Sequence, residues 1–268
     1  LTKTHPSKIH FTELSFKIHQ LRWPITVFSR ILMRLPNKLT ANLVSFMYSS
    51  IETNGIDLII AAGGKTAPYS AAIKVLNNIP VIQLGSPRGL HSSLFNALVT
   101  VERYYEDSSN IIASITPNLY SPEICSKAAT KKNLSEHLLF LIGGEGIGYA
   151  YKDQEWTSLV ASIRNLYSKT SLPITIVTSR RSDPKVENIL QEGLTGIPLH
   201  YSAWFHQGDK DFNLAALLGS AKNVFVTEDS AMMISESISS GKRILSSWLD
   251  HRAGTNGSDG AGKCARQL

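Results

Sequence analysis

The chain has 268 residues, 43% hydrophobic and 18% charged, which excludes a disordered chain and allows one large or two modest domains. A formal net charge of +6 suits anionic partners without choosing among them. Its two cysteines, Cys125 and Cys264, stand far apart, against both a disulfide framework and a zinc site and in favour of a reducing compartment.

No apolar run reaches about 18 residues, so no membrane-spanning helix is expected. No signal peptide is visible, and the expected location is the cytoplasm. Residues 9–14 (IHFTEL) read as a short strand. In residues 21–38, Phe28, Ile31, Leu32 and Leu35 fall at i, i+3, i+4 and i+7, the stripe of an amphipathic helix. Arg22, Arg30, Arg34 and Lys38 lie four or eight apart on another face, with Trp23 at the start. Such a helix either lies on an anionic bilayer, at the inner face of a membrane, or packs on its own domain.

Asp57 to Ala62 (DLIIAA) reads as a buried strand, followed by Gly63-Gly64-Lys65-Thr66 and a helix from Ala67 with Pro68 in its first turn. The turn is not a P-loop, because no glycine stands four residues before the second. Further strands are expected at Val81–Leu84, Ala97–Val101 and Ile111–Ile115. Residues 117–136 are polar, Pro-containing and lysine-bearing, and read as a linker.

A second α/β series follows. His137 to Ile142 is a strand, Gly143–Gly148 a glycine-rich turn, and 153–168 an amphipathic helix with Trp156, Leu159, Val160, Ile163 and Tyr167 on one face. Ile174 to Thr178 is a strand ending in Ser179-Arg180-Arg181. A helix from Pro184 to Leu190, a strand from Pro198 to Trp204 and a helix from Phe212 to Ser220 complete the middle. Asn223 to Val226, the turn Thr227-Glu228-Asp229-Ser230, a helix from Ala231 to Ser240 and a strand from Arg243 make one parallel βαβ unit. The stretch 253–268 has no apolar periodicity and reads as a disordered tail.

Three loops therefore follow strands of one parallel sheet: Gly143–Gly148, Thr178–Arg181 and Thr227–Ser230. They should open on its carboxyl edge. The first supplies backbone N–H groups, the second two guanidiniums suited to a diphosphate. The third supplies hydroxyls, a helix amino terminus and, further along, Glu236. Diphosphate plus ribose is the simplest ligand demanding all three. GGEGIG does not fit the dinucleotide fingerprint G-x-G-x-x-G, against a NAD enzyme. No G-x-S-x-G elbow or nucleic-acid motif is present. The histidines form no metal-ligand pair, and His206 alone follows a strand into a polar loop.

Four segments carry a resemblance: DLIIAAGGKTAP at 57–68, LIGGEGIGY at 141–149, VTSRRSDP at 177–184 and VTEDSAMMISESISSGKRI at 226–244. In order and spacing they resemble the mitochondrial-fission "elongated mitochondria" family, itself similar to GT-B glycosyltransferases. The resemblance covers roughly residues 50–245. It implies an α/β fold of two Rossmann-like domains with parallel sheets, facing across a cleft. Residues 1–116 would form an acceptor-side domain lacking its first strand. Residues 137–252 would form a nucleotide-binding domain.

Carried over to matching positions, Gly143 and Gly144 would approach the donor, and Ser179, Arg180 and Arg181 its phosphates. Thr227, Ser230, Met233 and Glu236 would surround the nucleoside, with Glu236 on the ribose. Gly63, Lys65 and Thr66 would line the acceptor side. The implied activity is transfer of a sugar from a nucleotide-diphosphate sugar to an envelope or lipid-linked acceptor, with no metal and no cofactor besides that donor. Glu102 and His206 are candidates for the base. The eukaryotic members of the family imply an alternative, a non-catalytic adaptor that recruits a protein partner to a membrane surface.

Overall fold

Two separate parallel sheets organise the chain. The computed structural model describes residues 10, 12–13, 22–106, 109–145, 149–209 and 212–246. Contacts divide the chain into two units, 1–113 and 114–268. The strand expected at 9–14 lies, apart from residues 10, 12 and 13, outside the described residues, as do Gly146, Ile147, Gly148 and the tail.

Among the described residues, the first unit has two helices where the sequence suggested one. Helix α1 (Arg22–Leu32) stops at a turn, and α2 (Lys38–Phe46) begins after Pro36. A residue before proline is driven away from helical backbone, which breaks the run at Leu35. Asn37 then caps α2: its side chain accepts from the Thr40 amide at 2.9 Å while its own amide donates to Thr40 Oγ1 at 3.0 Å. Buried Ser29 and Met33 point inward from this region, with Ala41 and Val44 of α2. The Ser29 hydroxyl lies 3.1 Å from Tyr48 Oη, and Tyr48 stacks on Tyr69 with centroids 4.7 Å apart. Phe28 and Ile31, on the expected stripe, face outward.

The sheet of this unit runs β1 (Ile59–Ala62), β2 (Val81–Leu84), β3 (Ala97–Thr100), β4 (Asn110–Ile112), all parallel and in that order. Strand β1 is buried on one face only. Ile59 and Ala61 point into the core, whereas Ile60 and Ala62 are exposed, the alternation of a half-covered sheet. Helix α3 (Ala67–Asn77) supplies the cover with Ala67, Tyr69, Ala71, Ala72 and Ile73. Asn78 ends it in left-handed conformation.

The second unit has the order β7-β6-β5-β8-β9, again all parallel. The strands are β5 (His137–Ile142), β6 (Ile174–Thr178), β7 (Leu199–Ala203), β8 (Ala221–Val226) and β9 (Arg243–Ser246). The chain starts at the central β5, steps outward through β6 and β7, then returns to the other side of β5 for β8 and β9. Both β5 and β6 are buried at every residue, as strands covered on both faces must be.

Period-2 alternation divides the second unit's core. Leu138, Phe140, Ile142, Ile174 and Ile176 meet α5 (Asp153–Thr170) and α6 (Pro184–Gly193). Leu139, Leu141, Val177, Val224 and Val226 meet α4 (Pro122–Lys132), α7 (Leu214–Ser220) and α8 (Ala231–Ser239).

Residues 117–136, expected as a linker, hold α4 and belong to the second unit. Upstream, the Thr116 amide donates to Ser235 Oγ at 2.9 Å and Asn118 Nδ2 to Ser239 Oγ at 3.0 Å, tying this segment along α8. Helix α4 lies so close to α7 that a Cβ at Gly219 would stand 2.0 Å from the Cys125 carbonyl oxygen. Its contact is backbone against backbone, so it leaves no apolar stripe in the sequence.

Candidate functional site

The second unit's sheet reverses direction of growth between β5 and β8. In a doubly wound sheet this switch point opens a crevice at the strands' carboxyl ends, where ligands bind. The loops that follow β5 and β8 meet there. The Gly143 amide donates to Thr227 Oγ1 at 2.7 Å, and Thr227 Oγ1 donates to Asp229 Oδ1 at 2.6 Å. A Cβ at Gly143 would fall 2.1 Å from both carboxylate oxygens of Asp229, so only glycine lets the two loops close.

The loop after β6 joins them. Arg181 Nη1 donates to the Asp229 carbonyl at 2.6 Å and stands 3.5 Å from its Oδ2. A Cβ at Gly144 would lie 2.0 Å from the Arg181 carbonyl oxygen. The Ser182 hydroxyl reaches the carbonyls of Gly143 and Ile142 at 2.6 and 3.0 Å, and it accepts the Ser179 amide at 3.0 Å. Residues 143–144, 179–182 and 227–230 thus form one hydrogen-bonded knot.

Asp229 is fully buried at its centre. Burial raises its pKa above the usual carboxylate range, opposed by Thr227, the Gly144 amide and Arg181. The Gly143 and Gly144 amides, expected to face a ligand, are thereby turned to Thr227 and Asp229. Arg181 is likewise committed inward. Arg180 next to it is exposed and makes no ion pair or hydrogen bond among the described residues.

Ser230 caps α8, its hydroxyl accepting the Met233 amide at 3.4 Å. Met233 and Glu236 are half-buried along that helix. Burial raises the Glu236 pKa, and its charge in turn adds to the rise at Tyr120, which is mainly an effect of that residue's own burial. The Glu236 carboxylate has no hydrogen-bond partner among the described residues.

His206 follows β7 and sits beside the arginine loop. Its Nε2 donates to the Ser182 carbonyl at 2.5 Å, which fixes the protonated nitrogen, and its amide donates to Glu187 Oε1 at 3.2 Å. The same Glu187 oxygen accepts the Thr178 hydroxyl at 2.6 Å. The sequence reading omitted Asp229, Ser182, Glu187 and the buried Tyr151, whose hydroxyl pKa is pushed up by burial and by Asp229. The signal for Asp229 and Ser182 was their place in polar turns directly after strands. Glu187 and Tyr151 left none.

The remaining expected residues lie in the first unit. Gly63 has φ of 84°, a left-handed value that favours glycine. Its carbonyl accepts the Thr66 hydroxyl at 2.7 Å. Lys65 is exposed. The Arg88 side chain lies against Gly64, where a Cβ would meet its Nε at 2.1 Å, so Lys65 has a second cation for a neighbour. Glu102 follows β3, its carbonyl accepting the Thr100 hydroxyl. A cavity of about 780 Å³ opens elsewhere, at α1 and α2, lined by Ile25, Asn42, Ser45, Phe46, Met47 and Tyr48; no residue of the knot borders it.

Fold and knot together define a parallel α/β protein whose second sheet brings three polar loops together at a topological switch point. The chain belongs to the mitochondrial fission ELM1 family, whose model matches residues 8–254. It is similar to the uncharacterized protein RP120 of Rickettsia prowazekii, at 25% identity over 226 residues, covering 69% of this chain and 63% of that protein. The chain therefore spans less than two thirds of that relative's length.

Among solved structures, it is similar to a UDP-GlcNAc 2-epimerase from Neisseria meningitidis bound to UDP-GlcNAc. The TM-score is 0.49 at 14% identity, with 93% of this chain and 74% of that chain covered. It is also similar to the ADP-heptose LPS heptosyltransferase II of E. coli, with TM-score 0.43, 10% identity, and 84% and 72% covered.

Proposed function

We propose that the second unit holds a nucleotide-diphosphate sugar and that the protein transfers the sugar to an envelope or lipid-linked acceptor. The observation that carries this reading is the meeting of three loops at the switch point, with Arg180 left exposed beside them. Arg180 and the amide end of α8 grip the diphosphate. Arg181 acts one step back, locking the loop that carries Arg180 onto Asp229. Glu236 takes the ribose hydroxyls, which supply the hydrogen bonds its carboxylate lacks.

In the transfer, an acceptor hydroxyl oxygen forms a bond to the anomeric carbon. The electron pair of the breaking C–O bond leaves on the nucleoside diphosphate, and the hydroxyl proton passes to a base. Arg180 and the helix amides stabilise the charge on the departing diphosphate.

A thermal-shift panel of nucleoside diphosphates and their sugars tests the reading. Ligand bound only to the folded state raises stability by about 2.7 kcal/mol at a hundredfold excess over Kd. The reading predicts a rise for one nucleotide family. A panel with no response at millimolar ligand speaks for the adaptor instead, a reading that the exposed apolar faces of α1 and α2 favour.

A further inference from the structure

Helices α1 and α2 and the turn between them leave six large apolar side chains in water. Phe28, Ile31, Leu35, Leu39, Leu43 and Phe46 are between 45% and 86% exposed. Phe28 and Ile31 stand three apart on α1, Leu39, Leu43 and Phe46 fall at i, i+4 and i+7 on α2, and Leu35 stands in the turn between, so each helix has an apolar face rather than scattered singles. The opposite faces put Ser29, Met33, Ala41 and Val44 into the core around Tyr48, so these six are not waiting to enter it. Arg34 and Lys38 are exposed beside them, whereas Arg30 is half-buried with its Nε donating to the Thr26 carbonyl at 2.9 Å, and residues 25–46 contain no Asp or Glu.

We propose that this two-helix face docks the protein on an anionic lipid bilayer. Apolar side chains would enter the boundary between headgroups and acyl chains, while Arg34 and Lys38 meet lipid phosphates. No helix among the described residues is long and apolar enough to cross a membrane, so the contact is interfacial. A second copy is a poorer occupant. A two-fold interface would press two pairs of exposed cations together with no carboxylate in either segment to pair them. The inference stands on the first unit alone and does not depend on the donor assignment.

The test is co-sedimentation of the full chain with phosphatidylcholine vesicles, with and without phosphatidylglycerol. The wild type is expected to bind only the anionic vesicles, and less as salt rises. Arg34→Gln with Lys38→Gln should weaken binding about 30-fold, from about 1 kcal/mol per cation. Leu39→Ser with Phe46→Ser should abolish it, and since both residues are exposed the melting temperature should hold. Nucleotide-induced stabilisation should be unchanged in both variants, so that failure here and failure of the donor reading are told apart. Equal binding to neutral vesicles, or variants that bind as well as the wild type, would overturn the proposal. So would a wild-type dimer in sedimentation velocity that Leu39→Ser with Phe46→Ser dissociates, which would assign the face to a second copy.

Discussion

Two adjacent arginines have come to do different things. Arg181 is one third exposed and holds a fully buried carboxylate, whereas Arg180 points to solvent. Removing Arg181 leaves Asp229 without its cation, and a buried charge deprived of its partner is costly. Arg181→Ala should therefore destabilise the ligand-free protein by about 1–3 kcal/mol, a range set low because the guanidinium is partly screened. Chemical denaturation reads this directly. From the sequence the pair looked like one fork on a diphosphate. Side-chain direction inside a loop is decided by what the neighbouring loops present, and Asp229 is 48 positions away.

Glu236 makes a second residue-scale prediction. Burial raises its pKa, so folding favours its protonated form. The cost of burying the charge is absent below the ordinary carboxylate range and grows as pH rises through the folded-state pKa. Glu236→Gln should raise the melting temperature of the ligand-free protein at neutral pH, with the advantage vanishing in acid. The same variant should weaken nucleotide binding, because an amide accepts hydrogen bonds from ribose hydroxyls less strongly than a carboxylate.

At the scale of elements, closeness of backbones matters as much as apolar area. Gly219 on α7 touches the Cys125 carbonyl of α4, and α4 is a helix whose one buried residue is Cys125. A methyl group there has nowhere to go except by parting the helices. Gly219→Ala is expected to cost about 1–3 kcal/mol, measurable as a lower denaturation midpoint with an unchanged slope. This contact also explains why α4 escaped notice. The strands were legible because β-branched and leucine runs bounded by turns announce them. The helices at 67–77, 153–170 and 231–239 were legible from period or small residues. A polar helix that packs through one cysteine and a partner's glycine carries no such period, and α2 was hidden because the sequence stripe runs on past Leu35 while the backbone does not.

The same logic governs the glycine-rich turn. Gly143 and Gly144 suggested backbone approach to a ligand, and the approach they permit is to Asp229 and Arg181. That the three loops would share an edge was readable, since all follow strands of one parallel sheet, and the structure makes those strands neighbours. Which atoms would face outward was not.

For the whole molecule, the proposed roles fall on separate units. The diphosphate grip uses residues 179–236 and the bilayer face residues 28–46, so substitutions in one should leave the other's function intact. The charge of +6 suits both anionic ligands. Membership of the family fixes the lineage, and the chemistry rests on the knot.

Calorimetric titration of nucleoside diphosphates into the wild-type chain and into Arg180→Ala tests that knot most directly. A hydrogen-bonded ion pair to phosphate predicts saturable wild-type binding that the substitution weakens about ten- to a hundredfold, with the stability of the ligand-free protein unchanged. Binding of equal strength in Arg180→Ala, or no heat of binding from any nucleoside diphosphate, would contradict the account.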